Sequence, residues 1–381
     1  MRVVLISGEY PPLRGGLADY TRLLAVELHG IGVEVAVLTS AQAAPGEEGF
    51  PVWPVVSHWG FATWPKIARA VQGAQICHLQ YQTAAYSMNP AINLLPLWLG
   101  WRSPGLRFIV TFHDLRVPYL FPKAGRLRPW ANWALAKLSH AVVATNREDE
   151  ESLKARGLHS HLIPIGSNIT PSPSPGFQRG EWRARHREVG VVSYFGLINA
   201  SKGVDTLLRA VARLREGGTA VKLVMVGETV GASDPTNRAY LERVKRLIEE
   251  LGLEGAVEWT GWLPPQEVSA HLMASDLCAL PYRDGASYRR GSLMAALAHG
   301  LPIVTTQRSS DGGTLPPLID SQNCLLVPPD DPEALAQAIA QLLASPQLRD
   351  RLAEGARSLG AAFSWPEIAR KTLQLYQEVA Q

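Results

Sequence analysis

Short apolar runs alternate with segments of helical periodicity almost from end to end of the chain, the pattern of parallel sheets covered by helices on both faces. In the first half, Arg2–Ser7, Val33–Ser40, Gln75–Gln82, Arg107–His113, Ala141–Thr145 and His161–Ile165 read as strands. Between the first two, Leu17, Tyr20, Leu24 and Leu28 share one face of a helix over 17–29. The alternation stops at Pro171-Ser-Pro-Ser-Pro-Gly176, where repeated proline removes backbone donors and turns preceding residues away from helix. It then restarts: strands at Val191–Phe195, Val221–Val226, Val257–Thr260, Leu277–Leu280, Pro302–Thr306 and Leu325–Val327, and helices at Val204–Arg215, Asn237–Leu251, Pro265–Ala274, Leu293–His299 and Pro332–Ala344. The pattern predicts an α/β protein of two Rossmann-like, doubly wound parallel-sheet domains, 1–170 and 177–364, joined by a linker at 171–176. An amphipathic helix over 365–381 is expected to pack back on the first domain.

Composition narrows the class. A chain of 381 residues, 46% of them hydrophobic, has ample material for two cores. With 37 basic and 34 acidic side chains the formal net charge is only +3, which lacks the broad basic footprint of a nucleic-acid binder. Cys77, Cys278 and Cys324 are far apart and without metal-ligand spacing, and read as buried thiols in a reducing compartment. The N-terminal apolar run breaks at Gly8, and the stretch Ala91–Trp101 is interrupted by Asn93 and Pro96. Neither suits a signal peptide or a spanning helix, so the expected location is the cytoplasm. The acidic run Glu148–Glu151 reads as the first turn of a helix, where carboxylates favour the positive dipole end.

In doubly wound sheets ligands gather at the carboxyl ends of the strands, so the informative residues follow each strand. After the first strand, Gly15-Gly16 precedes a helix and would let backbone amides approach an anion, or could equally form a simple turn. His113, at the end of another strand, could contact a sugar hydroxyl or a leaving oxygen, or serve as a structural histidine. In Tyr194-Phe-Gly-Leu-Ile-Asn-Ala-Ser-Lys-Gly203, the loop holding Gly196 leads to Lys202 at a helix start, a suitable diphosphate site. A fourth loop, Pro281–Ser292, carries Asp284, Ser287, Arg289 and Arg290 and enters a helix through Gly291-Ser292, again suited to phosphate. No G-x-G-x-x-G follows the first strand and no G-x-x-x-x-G-K-[ST] occurs, which argues against nicotinamide dehydrogenases and P-loop phosphatases.

Taken in order, Pro11-Pro12 with Gly15-Gly16, Thr111-Phe-His113, Phe195-Gly196 through Lys202-Gly203, Met225-Val-Gly227, Gly261-Trp262, Leu297-Ala-His-Gly-Leu-Pro302 and Leu326-Val-Pro-Pro-Asp330 resemble the retaining glycosyltransferases of family 4. The resemblance spans nearly the whole chain and implies the GT-B fold, two Rossmann-like domains facing each other across a cleft that takes a nucleotide diphosphate sugar. It implies that Gly16 approaches the donor diphosphate and the acceptor, His113 the transferred sugar and Lys202 the diphosphate, while backbone near Trp262 holds the base. It also implies retention of anomeric configuration without a cofactor or metal ion. There is no D-x-D motif, so the diphosphate charge would be met by cations and helix ends.

Three positions depart from the family pattern. An arginine expected after the loop glycine falls on Leu197, and the paired glutamates fall on Ser287 and Ala295. Compensation would have Arg289 or Arg290 bind phosphate while Asp284 or Ser287 takes part of the sugar contact. Two readings stand: a hexosyl- or related transferase acting on a glycan, lipid-linked or small-molecule hydroxyl, and a non-catalytic GT-B module binding a nucleotide, glycan or partner enzyme. A related epimerase would need acid and base carboxylates that the sequence does not place. Arg116, Lys123, Arg126 and Arg128 among aromatics, with Trp98, Trp101 and Arg102, would form a surface able to face a lipid-linked acceptor at the inner face of a membrane.

Overall fold

Every named strand lies in one of two all-parallel sheets. In this computed structural model all residues are described except 14, 45, 116–126, 228–234 and 308–314, and for 127, 128, 235 and 236 the backbone alone. The chain divides into one unit of Met1–Asn168 with Trp365–Gln381 and a second of Ile169–Ser364.

The first unit holds β1 (Arg2–Ser7), β2 (Glu34–Ser40), β3 (Val52–Val56), β4 (Ile76–Gln82), β5 (Arg107–Asp114), β6 (Ala141–Ala144) and β7 (His161–Leu162), in the order β3-β2-β1-β4-β5-β6-β7. Its helices are α1 (Gly16–Gly30), α2 (Trp64–Ala70), α3 (Ala91–Arg102), α4 (Leu127–Leu138), α5 (Arg147–Lys154) and the last helix of the chain, α13 (Trp365–Ala380). Alternate residues of the strands point to opposite faces, so each face has its own core. On one, Val4, Ile6, Cys77 and Leu79 pack with Ile67 of α2, Ile92, Leu95 and Leu99 of α3, and Leu135 of α4. On the other, Val3, Leu5 and Ile76 pack with Tyr20 and Leu24 of α1 and Ile368, Leu375 and Tyr376 of α13. The Trp365 indole N–H donates to Ser167 O at 2.8 Å, which fixes the start of α13.

The second unit holds α6 (Arg179–Arg185), β8 (Gly190–Phe195), α7 (Val204–Glu216), β9 (Val221–Val226), α8 (Pro235–Glu250), β10 (Val257–Trp259), α9 (Pro265–Ala274), β11 (Leu277–Leu280), α10 (Gly291–Ala298), β12 (Ile303–Thr306), β13 (Leu325–Val327), α11 (Pro332–Ala344) and α12 (Pro346–Ala361). Its strand order is β10-β9-β8-β11-β12-β13. In both units the winding reverses at the middle of the sheet, between β1 and β4 and between β8 and β11. Such switch points are where ligands bind in open α/β sheets.

Where sequence and structure differ, the reason is local. β3 escapes the reading because Pro54 sits inside it; β3 is an edge strand, where a missing N–H is tolerated. The strand expected over His161–Ile165 is only two residues long. α12 was unread because it contains Gly355 and Gly360. A Cβ at those positions would lie 2.0 Å from Gln322 O and 2.7 Å from Leu297 O, so close packing demands residues that weaken the helical signal. All three cysteines are free and buried, and the acidic run opens α5 behind an Asn146 cap that accepts from Asp149 N–H at 3.0 Å.

Candidate functional site

At the switch point of the second unit, the loop after β8 and the loop after β11 converge. Gly196 adopts a positive φ of 121°, and a Cβ there would lie 2.5 Å from Lys202 Nζ and 3.5 Å from Ser292 Cβ. The absent side chain is therefore what lets the ammonium lie across the loop, against the first turn of α10. Gly203, at φ 65°, ends the short 3-10 turn Ala200–Lys202 and starts α7. A Cβ at Gly203 would overlap Pro281 O at 2.0 Å, so this glycine fixes the distance between the two loops.

From the other loop, Arg290 caps α10, with Gly291 and Ser292 opening the helix. The Arg290 guanidinium donates to Ser201 Oγ at 3.2 Å, pairs with the Asp284 carboxylate and lies 5.0 Å from the Tyr282 ring centre. Tyr282 in turn shares a 2.7 Å hydrogen bond with Ser292 Oγ. Arg283 is anchored below by Asp205, which also binds Tyr240 and Arg243. Burial first, then the neighbouring Arg290 charge, lowers the Lys202 ammonium to about 8. Among the described residues no carboxylate pairs with Lys202. Lys202, and Arg290 with its Asp284 partner, thus stand close to the start of α10, an arrangement suited to an anion.

The first unit gathers a second set. Gly15 and Gly16 open α1 directly after the loop from β1. A Cβ on Gly15 would lie 2.7 Å from Glu9 Oε2, and Asp19 accepts from Asn168 Nδ2 at 3.2 Å. Burial raises both carboxyls, against the opposing effect of Arg22 and Asn168 on Asp19. His113, at the end of β5, lies edge-on to Tyr20 with ring centres 4.5 Å apart. Its Nε2 is 3.0 Å from Gln80 Oε1, which can only accept, so Nε2 carries the proton and Nδ1 remains an acceptor. Burial lowers the imidazole to about 3 and keeps it neutral. Gln80 Nε2 is buried without an acceptor among the described residues.

The residues singled out in the sequence therefore fall into two groups. Gly196, Lys202, Arg290, Gly291 and Ser292 meet in the second unit, with Asp284 turned onto Arg290. Ser287 supplies the turn before α10, its carbonyl accepting from Arg290 N–H at 2.9 Å and its Oγ standing 3.5 Å from Arg289 N. Trp262, 53% exposed, follows the bridge between Gly227 and Gly261, near the ends of β9 and β10. Gly15, Gly16 and His113 belong to the first unit. Arg116, Lys123 and Arg126 lie outside the described residues, as does the Arg128 side chain. Sequence reasoning missed Ser201, Tyr282, Glu9, Asp19 and Gln80. Of these, Ser201, directly before Lys202, Tyr282, in the same loop as Arg289 and Arg290, and Asp19, in the first turn of α1, had a positional signal. Among the described residues no cluster of His, Cys, Asp and Glu could hold a metal ion, and no helix is long and apolar enough to cross a membrane.

Comparison with known proteins places these loops in a family. Residues 189–345 match the profile described as glycosyl transferases group 1, and residues 15–166 that of a glycosyl transferase 4-like domain. A D-inositol 3-phosphate glycosyltransferase of Corynebacterium urealyticum is 30% identical over 100% of this chain and 96% of its own length. One of the same name from Corynebacterium jeikeium is 32% identical over 62% of this chain, and the match spans only 57% of that relative. Among solved structures, Anabaena HepE in complex with UDP superposes with a TM-score of 0.75 at 17% identity, covering 99% of this chain and 100% of the other.

Proposed function

Because the chain belongs to the glycosyltransferases with group 1 and 4-like domains, and has the GT-B fold, we propose that its donor is a nucleotide diphosphate sugar, held through the diphosphate by Lys202, Arg290 and the first amides of α10. The observation that carries this reading is the Lys202 ammonium, packed on Gly196 beside Arg290 and Ser292 with no carboxylate partner among the described residues. A charge left unpaired in a partly buried site costs stability unless a ligand of opposite sign repays it. The cations and helix end supply the positive charge that a leaving diphosphate needs, so the transfer proceeds without a metal cofactor.

The acceptor hydroxyl attacks the anomeric carbon, the bond from that carbon to the diphosphate oxygen breaks, and the acceptor proton passes to the leaving phosphate, with retention of configuration. Neutral His113 would accept a sugar hydroxyl at Nδ1. Gly15 and Gly16 would leave room for the acceptor close to the start of α1, and Trp262 would border the base. The relatives named for D-inositol 3-phosphate support a polar hydroxyl acceptor, and we assign the acceptor to the first unit, which meets a membrane surface peripherally. The non-catalytic reading gains no observation.

Isothermal titration with UDP, GDP, ADP and TDP, followed by nucleotide release from the matching sugar conjugate and NMR of the product's anomeric proton, tests the proposal. One nucleoside diphosphate should bind, and its conjugate should turn over in the presence of a chelator with the anomeric configuration kept. If none binds at millimolar concentration, the donor assignment is wrong; an inverted product or chelator-sensitive turnover removes the corresponding step.

A further inference from the structure

The charge of this chain is unevenly placed. Between residues 49 and 146 there are nine lysines and arginines and a single acid, Asp114, although the whole chain is only +3. Five of these cations, Lys66, Arg69, Arg102, Arg128 and Lys137, belong to α2, α3 and α4 of the first unit. α3 is apolar on every side: its only polar side chains are Asn93 and Arg102. Helices of that kind are normally enclosed, yet Leu94, Leu97 and Trp101, spaced along one stripe of α3, are 39%, 60% and 78% exposed. Trp130 on the neighbouring α4 is 68% exposed, and Phe61, just before α2, stacks edge-on to Trp64 with its own ring mostly in solvent. An outward row of large apolar side chains is rare on a surface that meets only water.

The cations stand beside this row. Arg69, Gln72, Trp98, Arg102 and Ser103 line a cavity of about 320 Å³ between α2 and α3, so that two guanidinium groups and two smaller polar side chains face one opening. Lys66 and Lys137 are exposed on α2 and α4. None of Lys66, Arg69, Arg102 and Lys137 forms an ion pair among the described residues. Exposed tryptophan and leucine flanked by unpaired lysine and arginine fit the boundary between lipid head groups and acyl chains, and the charge complements an anionic leaflet rather than a neutral one.

We propose that the α2–α3–α4 face docks on an anionic bilayer, with Leu94, Leu97, Trp101 and Trp130 entering the interface and Arg69 and Arg102 taking a lipid phosphate in the cavity between α2 and α3. This deepens the membrane contact proposed above, and places the first unit where a lipid-linked or membrane-adjacent acceptor would be found.

The test is co-sedimentation of the full chain with phosphatidylcholine vesicles, with and without phosphatidylglycerol. The protein should pellet with the phosphatidylglycerol vesicles only, and be released as salt is raised. Arg69→Gln with Arg102→Gln should weaken vesicle binding about fivefold per charge removed, and Leu97→Ser with Trp101→Ser should abolish most of it. No binding to phosphatidylglycerol vesicles, or binding indifferent to both double variants, overturns the proposal. So does a dimer in sedimentation velocity that Leu97→Ser with Trp101→Ser dissolves, since a second copy would then cover the face. Nucleotide titration of the same variants keeps the two readings apart: it should be unchanged in all of them, and its failure in the parent protein would remove the donor assignment while leaving vesicle binding intact.

Discussion

Lys202→Met removes a charge that folding must desolvate while keeping most of the side chain's length and its apolar stem. The ammonium is lowered from its ordinary 10.5 to about 8, chiefly by burial and then by Arg290. At ~1.4 kcal/mol for each pKa unit, the charged form destabilises the folded state by about 3 kcal/mol near neutral pH. The sign follows from proton counts. Between about 8 and 10.5 the unfolded chain holds a proton that the folded chain has lost, so stability rises with pH across that window and the full penalty stands below it.

Lys202→Met should therefore be more stable than the parent by up to about 3 kcal/mol at pH 7, with the gain shrinking above pH 8. The same variant should lose a charge-assisted contact to the diphosphate, about 1.5–3 kcal/mol, or roughly tenfold to a hundredfold in affinity. Scanning calorimetry at pH 7 and pH 9.5 reads the first effect, and titration with the preferred nucleoside diphosphate the second. A variant less stable at pH 7, a gain that does not change with pH, or an unchanged affinity would show that Lys202 is a structural lysine.

Two further substitutions test the scaffold. Gly203→Ala combines an unfavourable left-handed backbone at φ 65° with an overlap on Pro281 O; a loss of at least about 3 kcal/mol is expected in urea unfolding, and a loss below 1 kcal/mol would mean that the loops can separate freely. His78 is buried between Tyr376 OH at 2.6 Å and Thr111 Oγ1 at 2.7 Å, and is lowered to about 3 by burial and by His113. Below the ordinary 6.5 the unfolded chain takes up the proton first, so stability falls as pH drops towards 3. His78→Gln should lower the dependence of unfolding on pH between 4 and 6 by about one proton; an unchanged slope would place the acid sensitivity elsewhere.

The winding of both sheets was legible because apolar runs and helical stripes alternate cleanly, and strands such as Val221–Val226 and helices such as Pro332–Ala344 are read to the residue. β3, α3 and α12 were hidden by Pro54, by Pro96 and by Gly355 with Gly360, residues that propensity penalises and tertiary packing accepts. Gly196 and Lys202 were legible as a motif, but their contact was not, since it depends on a positive φ and the close approach of α10. Nor does sequence spacing show that Asp284 turns back to Arg290 within its loop, or that Gln80 fixes the proton on His113, a pair that meets only once β4 and β5 are in register.

The two positions where the family pattern has glutamates bear on what the site holds best. Ala295 is 1% exposed within α10, and Ser287 forms the turn before it, so neither can offer a carboxylate to a sugar. Asp284, the nearest acid of that loop, already pairs with Arg290. The absence of carboxylates at 287 and 295 spares a bound diphosphate two like charges on this loop and helix. It also removes two acceptors for sugar hydroxyls. The nucleoside diphosphate should therefore bind at least as tightly as its sugar conjugate. Competitive titration of the two measures the ratio directly. A conjugate that binds more than about tenfold tighter, equivalent to 1.4 kcal/mol, would refute this and assign the sugar hydroxyls to other acceptors such as Asp284 or Ser287.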